Sequence, residues 1–172
     1  MIPNPDKFQF MVMNRTGSIS SSIIIDHNTI QSSDNISILG LKLDANLRFG
    51  PYVSDVIRRA SKQINILKRI SKYLNVTGRI NVYRSFISSN FSYCPVVWMF
   101  CGKKNSNKLE KLQERALRFV FDDSTSSYID LLKRGNFLSL SSYRMYFLGI
   151  EVFKSKHQKS PEHIQKLFQT TI

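Results

Sequence analysis

Apolar residues between Tyr52 and Leu74 recur at the spacing of one face of an α-helix. The positions are Val53, Val56, Ile57, Ala60, Ile64, Leu67, Ile70 and Leu74. This pattern predicts a long helix that packs one side against a core. Gly50-Pro51 lies directly before it and favours a structural boundary there, because proline suits the first turn of a helix and not its interior.

The residues before this boundary have the composition of strands. β-Branched and aromatic residues dominate 8–14, 22–26 and 36–44, and turn-forming residues separate the three segments. The sequence therefore predicts the α+β class, with short N-terminal antiparallel strands followed by a mostly α-helical bundle.

Further helices are predicted beyond the first. One spans 77–100, with a break or kink at Pro95, and another spans 107–121. In the latter, Leu109, Leu112, Ala116 and Val120 are predicted to point inward, and Glu114 and Arg118 are spaced for an i,i+4 ion pair. Shorter helices are expected near 127–133, 141–157 and 161–168.

The segment 77–100 is rich in aromatic residues. They are Tyr83, Phe86, Phe91, Tyr93, Trp98 and Phe100. Aromatic side chains can stack on nucleic-acid bases, but at this density in an apolar helix they are more typical of a core.

Positive charge is concentrated in one part of the chain. The formal net charge is +13, and residues 51–120 hold 14 basic and 3 acidic side chains. Residues 1–50 are balanced, with four of each sign. A basic block of this kind favours a polyanionic partner, either nucleic acid or an anionic membrane surface, because Lys and Arg clusters neutralise phosphates.

The polar face of the 52–74 helix carries much of this charge. Arg58, Lys62, Asn65, Arg69 and Lys72 share that face, Arg59 and Lys68 flank it, and Asp55 is the only acid in the segment. A merely solvated face usually mixes both signs, so nucleic-acid contact is favoured over a solvated or membrane-bound face.

A second basic cluster lies at the start of the 107–121 helix. It consists of Lys103, Lys104 and Lys108, for which phosphate binding and simple solubility are equally good explanations.

Other classes of site receive little support. No apolar run reaches the roughly 18–20 residues that span a bilayer, and no secretory signal is visible, so an intracellular location, nucleus or cytoplasm, is the default expectation. Cys94 and Cys101 would lie two turns apart on a helix, too far for a disulfide, and are interpreted as core thiols in preference to redox or metal ligands. The histidines show no zinc-ligand spacing.

Six strings, in order along the chain, carry a family resemblance. They are NPDKFQFMVMN at 4–14, ILGLKLDANLRF at 38–49, LKRISKYL at 67–74, YRSFISSNFSYCPVVWMFC at 83–101, KLEKLQERALRFVF at 108–121 and SYIDLLKRGNFLSL at 127–140. Together they resemble the C-terminal part of reverse transcriptases from non-LTR (LINE-type) retrotransposons, especially the jockey and chicken-repeat-like groups. These enzymes are RNA-directed DNA polymerases.

The resemblance implies an organisation in three parts. Residues 1–50 look like the end of the palm with the primer-grip segment, in which Leu39, Gly40 and Leu41 are the primer-grip-like residues. Residues 51–121 look like a basic helical thumb, and 122–172 like a helical C-terminal extension. The expected partners are an RNA:DNA hybrid or another RNA or DNA backbone, and the upstream polymerase region, with no membrane.

The resemblance also implies that the catalytic carboxylates, which hold Mg²⁺ in the full-length enzyme, lie upstream. No catalytic residue, metal ligand or cofactor is therefore expected in this chain, which alone is predicted to be inactive. Phe121-Asp122-Asp123 looks superficially like the aromatic-x-Asp-Asp motif but is interpreted as a helix end and loop. Lys7 resembles a palm lysine near the departing pyrophosphate, although a solvated lysine is the favoured reading.

A different class of function stays open. The chain can instead be a helical protein-interaction module, or the vestigial product of a truncated mobile element. Strands without the rest of a palm sheet would leave open edges, which favours that alternative.

Overall fold

Strands precede helices, and the α+β class is confirmed in the computed structural model, which describes residues 4, 7–13, 20–25 and 27–166. Four short strands form two separate antiparallel pairs. Their bounds are Ser22–Ile25 (β1), Asn28–Gln31 (β2), Asn35–Ile38 (β3) and Leu41–Asp44 (β4). β1 pairs with β2, and β3 pairs with β4.

The prediction of one strand over 36–44 is wrong, because a tight turn divides it. Ile38 pairs with Leu41, and the two residues between them both have positive φ, 49° at Leu39 and 83° at Gly40. A two-residue turn with positive φ at both positions matches the twist of a hairpin, and glycine enters that region without steric cost. The segment therefore folds back on itself as β3 and β4.

The prediction of a strand over 8–14 is also wrong for the residues of this segment that the structure describes. Phe10 forms an isolated bridge with Ser32, and no ladder extends from it among residues 7–13. Instead, the side-chain amide of Gln9 bonds the backbone of Ser37, accepting from N at 2.7 Å and donating to O at 3.1 Å. Asn14 lies outside the described residues. The sequence reading also missed β2.

The predicted long helix is confirmed as α1, Gly50–Ile70, which continues in a 3₁₀ turn at Ser71–Tyr73. Pro51 lies in its first turn, as the sequence indicates. Asp44, at the end of β4, accepts hydrogen bonds from the backbone N of Arg48 at 3.0 Å and of Phe49 at 2.5 Å. This carboxylate fixes the connection between the second hairpin and α1.

The helix predicted over 77–100 ends earlier. It consists of α2 (Val76–Val82), a π-helical turn (Tyr83–Ile87) and α3 (Ser89–Ser92). Tyr93 is extended, and Cys94, directly before Pro95, has a φ of 48°. A residue that precedes proline is disfavoured in the α region, which explains why the helix stops here.

Cys94 and Cys101 are consequently not on one helix, so the spacing argument for them is wrong. Cys101 follows a 3₁₀ turn at Trp98–Phe100. Both cysteines are free, Cys101 is buried, and Cys94 is partly buried against the core. Their interpretation as core thiols is confirmed by this packing.

Helix α4 lies at the centre of the helical part. It spans Lys103–Phe121 and contacts α1, α2 and the later helices α5 (Tyr128–Gly135) and α6 (Leu140–Lys156). Helix α7, Glu162–Lys166, follows α6. The buried residues of α4 include the four that were predicted to point inward: Leu109, Leu112, Ala116 and Val120. One hydrophobic core includes residues from α1, α4, α5 and the start of α6.

Candidate nucleic-acid interface

The predicted basic stripe lies on the solvent side of α1. Arg58, Lys62, Arg69 and Lys72, here called the α1 basic face, are all exposed. The opposite side of the helix buries Val53, Val56, Ala60, Ile64 and Leu67. The two faces are separated because residues three and four apart align along a helix.

Asp55 neutralises part of the positive charge at the N-terminal end of the α1 basic face. Its carboxylate is 2.8 Å from Arg58 Nη2 and 2.6 Å from Lys42 Nζ, which lies on β4. The hydrogen bond from Lys42, followed by the interactions with Arg58, lowers the pKa of Asp55. Lys62, Arg69 and Lys72 are in no ion pair with a described carboxylate, so the far end of the face is the more electropositive.

The two flanking cations lie on different sides of α1. Arg59 lines a shallow hollow together with Leu39, Gly40 and Tyr93. The ammonium of Lys68 lies over the ring of Phe119, 5.7 Å from its centroid, and thus on the side of α4. The structure therefore places one cation beside the β3–β4 turn and the other beside α4.

The primer-grip-like residues are divided by the turn. Leu39 is 87% exposed, Gly40 is exposed, and Leu41 is buried in the core. The hydroxyl of Tyr93 donates a hydrogen bond to the carbonyl of Leu39, which ties the turn to the segment after α3. Leu39 and Gly40 are brought next to Arg59, whereas Leu41 anchors the hairpin.

A basic face on α4 extends the interface, and the basic cluster predicted from the sequence contains only two of its four residues. Lys104, Lys108, Lys111 and Arg115, here called the α4 basic face, are all exposed and follow helical spacing. Lys111 and Arg115 were missed, although the recurrence of basic residues three and four apart was a readable signal. Lys103 lies at the start of the helix and off this face.

The two basic faces meet through a hydrogen bond between helices. Arg115 Nη2 donates to Asn65 Oδ1 at 2.9 Å, and Lys68 reaches Phe119 one turn further along both helices. Since the two contacts advance in the same direction, α1 and α4 run parallel to each other. Asn65, Lys68, Arg69 and Lys72 line an open groove at this place.

The Phe121-Asp122-Asp123 string is a helix end and loop, as predicted. Helix α4 ends at Phe121, and Asp122 follows in the left-handed conformation with a φ of 51°. Asp123 accepts hydrogen bonds from the hydroxyl and backbone N of Ser126 and from Thr125. These bonds, led by the Ser126 hydroxyl, hold the pKa of Asp123 well below its usual range. The carboxylate therefore stabilises a loop.

Three other observations concern the described part of the chain. No group of three His, Cys, Asp or Glu side chains there is arranged to hold a metal ion. None of its helices combines the length and the hydropathy that crossing a bilayer requires. Lys7 is exposed and lies outside the strands.

Comparisons with protein-family models, with curated proteins and with solved structures found no match to this chain.

Proposed function

We propose that this chain is the C-terminal part of a non-LTR retrotransposon reverse transcriptase and binds the backbone of a template–primer duplex. The observation that carries the proposal is the pair of adjacent basic faces on α1 and α4, which contain eight exposed basic residues and are joined by the Arg115–Asn65 bond. Contacts of Lys and Arg to phosphate position a duplex without reading its sequence.

The location of the primer-grip-like turn supports the same proposal. Leu39 and Gly40 border the hollow that Arg59 lines at the edge of α1. A duplex on the basic faces would have one end near this turn, which is where a primer end would be held. The metal-binding carboxylates of the proposed enzyme belong upstream, so we assign no catalytic residue and no metal to this chain.

The proposal is tested by binding of the purified chain to an RNA:DNA hybrid across a salt series. One variant replaces Arg58, Lys62, Arg69 and Lys72 by glutamine. A matched control replaces four basic residues outside both faces by glutamine: Lys133, Lys156, Lys159 and Lys166. If each residue of the α1 basic face neutralises one phosphate, the slope of log K against log salt falls by about 3 to 4 in the first variant only.

The control separates a defined interface from general electrostatics. Equal losses in the two variants would contradict the proposal, because net charge would then account for the binding. Absence of hybrid binding by a chain with a cooperative unfolding transition would contradict it directly.

Apolar residues exposed on α6 favour a second candidate, a helical protein-interaction module. Met145, Tyr146 and Phe153 are each more than half exposed. Large exposed apolar side chains close together are common at protein interfaces. In this case the chain would bind no hybrid, and replacing Tyr146 and Phe153 by serine would leave its unfolding midpoint unchanged.

A further inference from the structure

Arg144, in the first half of α6, is a buried cation without a counter-ion. It is only 5% exposed, and it forms no ion pair with any described carboxylate. Its Nη2 donates to the hydroxyl of Ser106 at 2.6 Å, whereas Nη1 is buried and has no hydrogen-bond partner in the described part of the chain. Burying a charge is costly unless it is paired, so this guanidinium lacks the interaction that usually accompanies burial.

The nearest groups do not supply an anion. The guanidinium lies over the ring of Trp98, 5.1 Å from its centroid, which offers only a cation–π contact. Burial raises the pKa of the Cys101 thiol, against the opposing influence of Arg144, so this thiol stays neutral near pH 7. The carboxylate of Glu110 accepts hydrogen bonds from the backbone N of Leu140 and Ser141 and thus caps α6.

Arg144 lines a hollow of about 360 Å³ beside the first turn of α4. The other polar groups around the hollow come from Lys103, Ser106 and Ser141, and Gly102 borders it. Met99, Phe100 and Met145 form apolar walls. An arginine, a lysine and two hydroxyls are thus collected around one space, and we call it the Arg144 hollow.

The beginning of α4 adds backbone donors to this set. Gly102, which precedes the helix with a φ of 79°, has no side chain that could cap the first turn, and that turn contains no acidic residue. The first N–H groups of a helix have no partner within the helix and carry partial positive charge, which favours an anion in front of them. The hydroxyl oxygen of Ser106 accepts a hydrogen bond from Arg144. The hydroxyl proton of Ser106 therefore remains available to an acceptor in the hollow.

We propose that the Arg144 hollow binds a phosphate group, held by Arg144, Lys103, the Ser106 hydroxyl and the first N–H groups of α4. Phosphate suits these donors because its oxygens accept several charge-assisted hydrogen bonds at once, and a guanidinium can bind two of them. Since Nη1 is itself covered, binding draws the guanidinium toward the hollow and changes its position over Trp98. The site does not depend on the proposed binding of a duplex.

The single tryptophan of the chain makes this proposal measurable. Inorganic phosphate is titrated into the full chain while the fluorescence of Trp98 is recorded, with chloride at the same ionic strength as the control. The expected result is a saturable change with phosphate and none with chloride. A folded chain whose fluorescence gives no saturable response to phosphate would overturn the proposal.

Variants at neighbouring lysines distinguish the site from general screening. Lys103→Gln removes a cation that lines the hollow, and we expect roughly tenfold weaker phosphate binding. Lys104→Gln removes the same charge one residue further on, outside the hollow, and binding should stay within about twofold of the unaltered chain. Equal losses in the two variants would refute a defined site. Arg144→Lys should abolish the response, and its folding is checked by circular dichroism.

A last arm identifies the source of the phosphate. Binding of an RNA:DNA hybrid is compared for Lys103→Gln and for Lys159→Gln, which removes an exposed charge outside the hollow and outside both basic faces. A larger loss for Lys103→Gln, together with competition by inorganic phosphate, assigns the hollow to a backbone phosphate. If the two variants bind the hybrid with equal affinity but bind inorganic phosphate with different affinities, the Arg144 hollow is assigned to a small free phosphate.

Discussion

The helical part of the molecule and the two hairpins differ in how much apolar surface they bury. In the helical part, Trp98, Tyr83 and Leu109 are fully buried. Within the four strands, Leu41 is the one buried residue, while Ile24 is 74% exposed and Ile38 is 51% exposed. An isolated pair of strands is marginally stable in water, so the helices hold the fold and the hairpins depend on them.

The second hairpin has a firmer attachment than the first. Leu41 and Leu43 of β4 pack on the core, Lys42 forms an ion pair with Asp55 of α1, and Asp44 bonds the backbone before α1. No such set of contacts joins β1 and β2 to the helices among the described residues. The proposed identity would explain the difference, because further strands of a palm would pair the open edges.

The largest effect is expected for a truncation in the centre of the helical core. Leu109→Ala should lower the free energy of unfolding by about 2–5 kcal/mol, because it removes buried contacts and leaves a cavity. The matched change in a strand, Ile24→Ala, should cost less than about 1 kcal/mol, since Ile24 is mostly exposed. Urea denaturation of both variants measures the comparison. Similar costs for the two would show that the hairpins share the stability of the core.

Sequence periodicity located α1 and α4 well because burial on one side of a helix imposes that periodicity. The inward residues of α1 and α4 follow helical spacing, and the Glu114–Arg118 pair predicted within α4 is present at 2.6 Å. The basic side of α1 was readable for the same reason. The spacing of residues along the sequence is sufficient to predict a feature that lies on a single helix.

Contacts between segments that are distant in the sequence could not be predicted from it. The Arg115–Asn65 bond connects residues 50 apart, and Arg144 meets Ser106 across 38 residues. Neither pairing leaves a local pattern in the sequence. The turn at Leu39-Gly40 was missed for another reason: alternation of apolar residues continues on both sides of it, so the two strands of the hairpin read as one.

An effect of intermediate size is expected from Tyr83 at alkaline pH. Its hydroxyl accepts a hydrogen bond from Gln113 at 2.9 Å, and burial raises the pKa of Tyr83 to about 12 from the ordinary 10.0. The folded protein therefore holds this proton more tightly than the unfolded chain does. Stability that is fully present below pH 10 is lost as pH rises through the folded pKa, by about 2 kcal/mol at pH 12.

Comparison with Tyr83→Phe isolates this contribution from other alkaline effects. The variant lacks the hydroxyl, so its unfolding free energy should fall less steeply between pH 10 and pH 12. Parallel pH profiles for the two proteins would contradict the assigned shift. The strands contain no tyrosine, so the effect belongs to the helical part alone.

A smaller effect is expected at a helix cap. Ser127 precedes α5, where its hydroxyl donates to the carboxylate of Asp130 at 2.6 Å and accepts from the backbone N of Asp130 at 3.2 Å. Ser127→Ala should lower the unfolding free energy by about 1 kcal/mol, because it leaves the backbone N–H of Asp130 in the first turn without its capping partner. Ser33→Ala, between the hairpins, removes one exposed bond to the carbonyl of Asn35 and should cost less. A larger loss at Ser33 than at Ser127 would reverse the order of the two regions.

The smallest effect is expected on the exposed side of β1, and it tests which face of that strand packs. Ile24→Thr should change the unfolding free energy by no more than about 0.5 kcal/mol, because threonine keeps the β-branched shape and little apolar surface is buried there. Ile23, on the other face, is partly buried, so Ile23→Thr should cost more. Equal and substantial losses would mean that both faces of β1 are covered in solution. In that case a concentration-dependent unfolding midpoint would identify a second copy of the chain as the cover, since association stabilises the folded state by mass action.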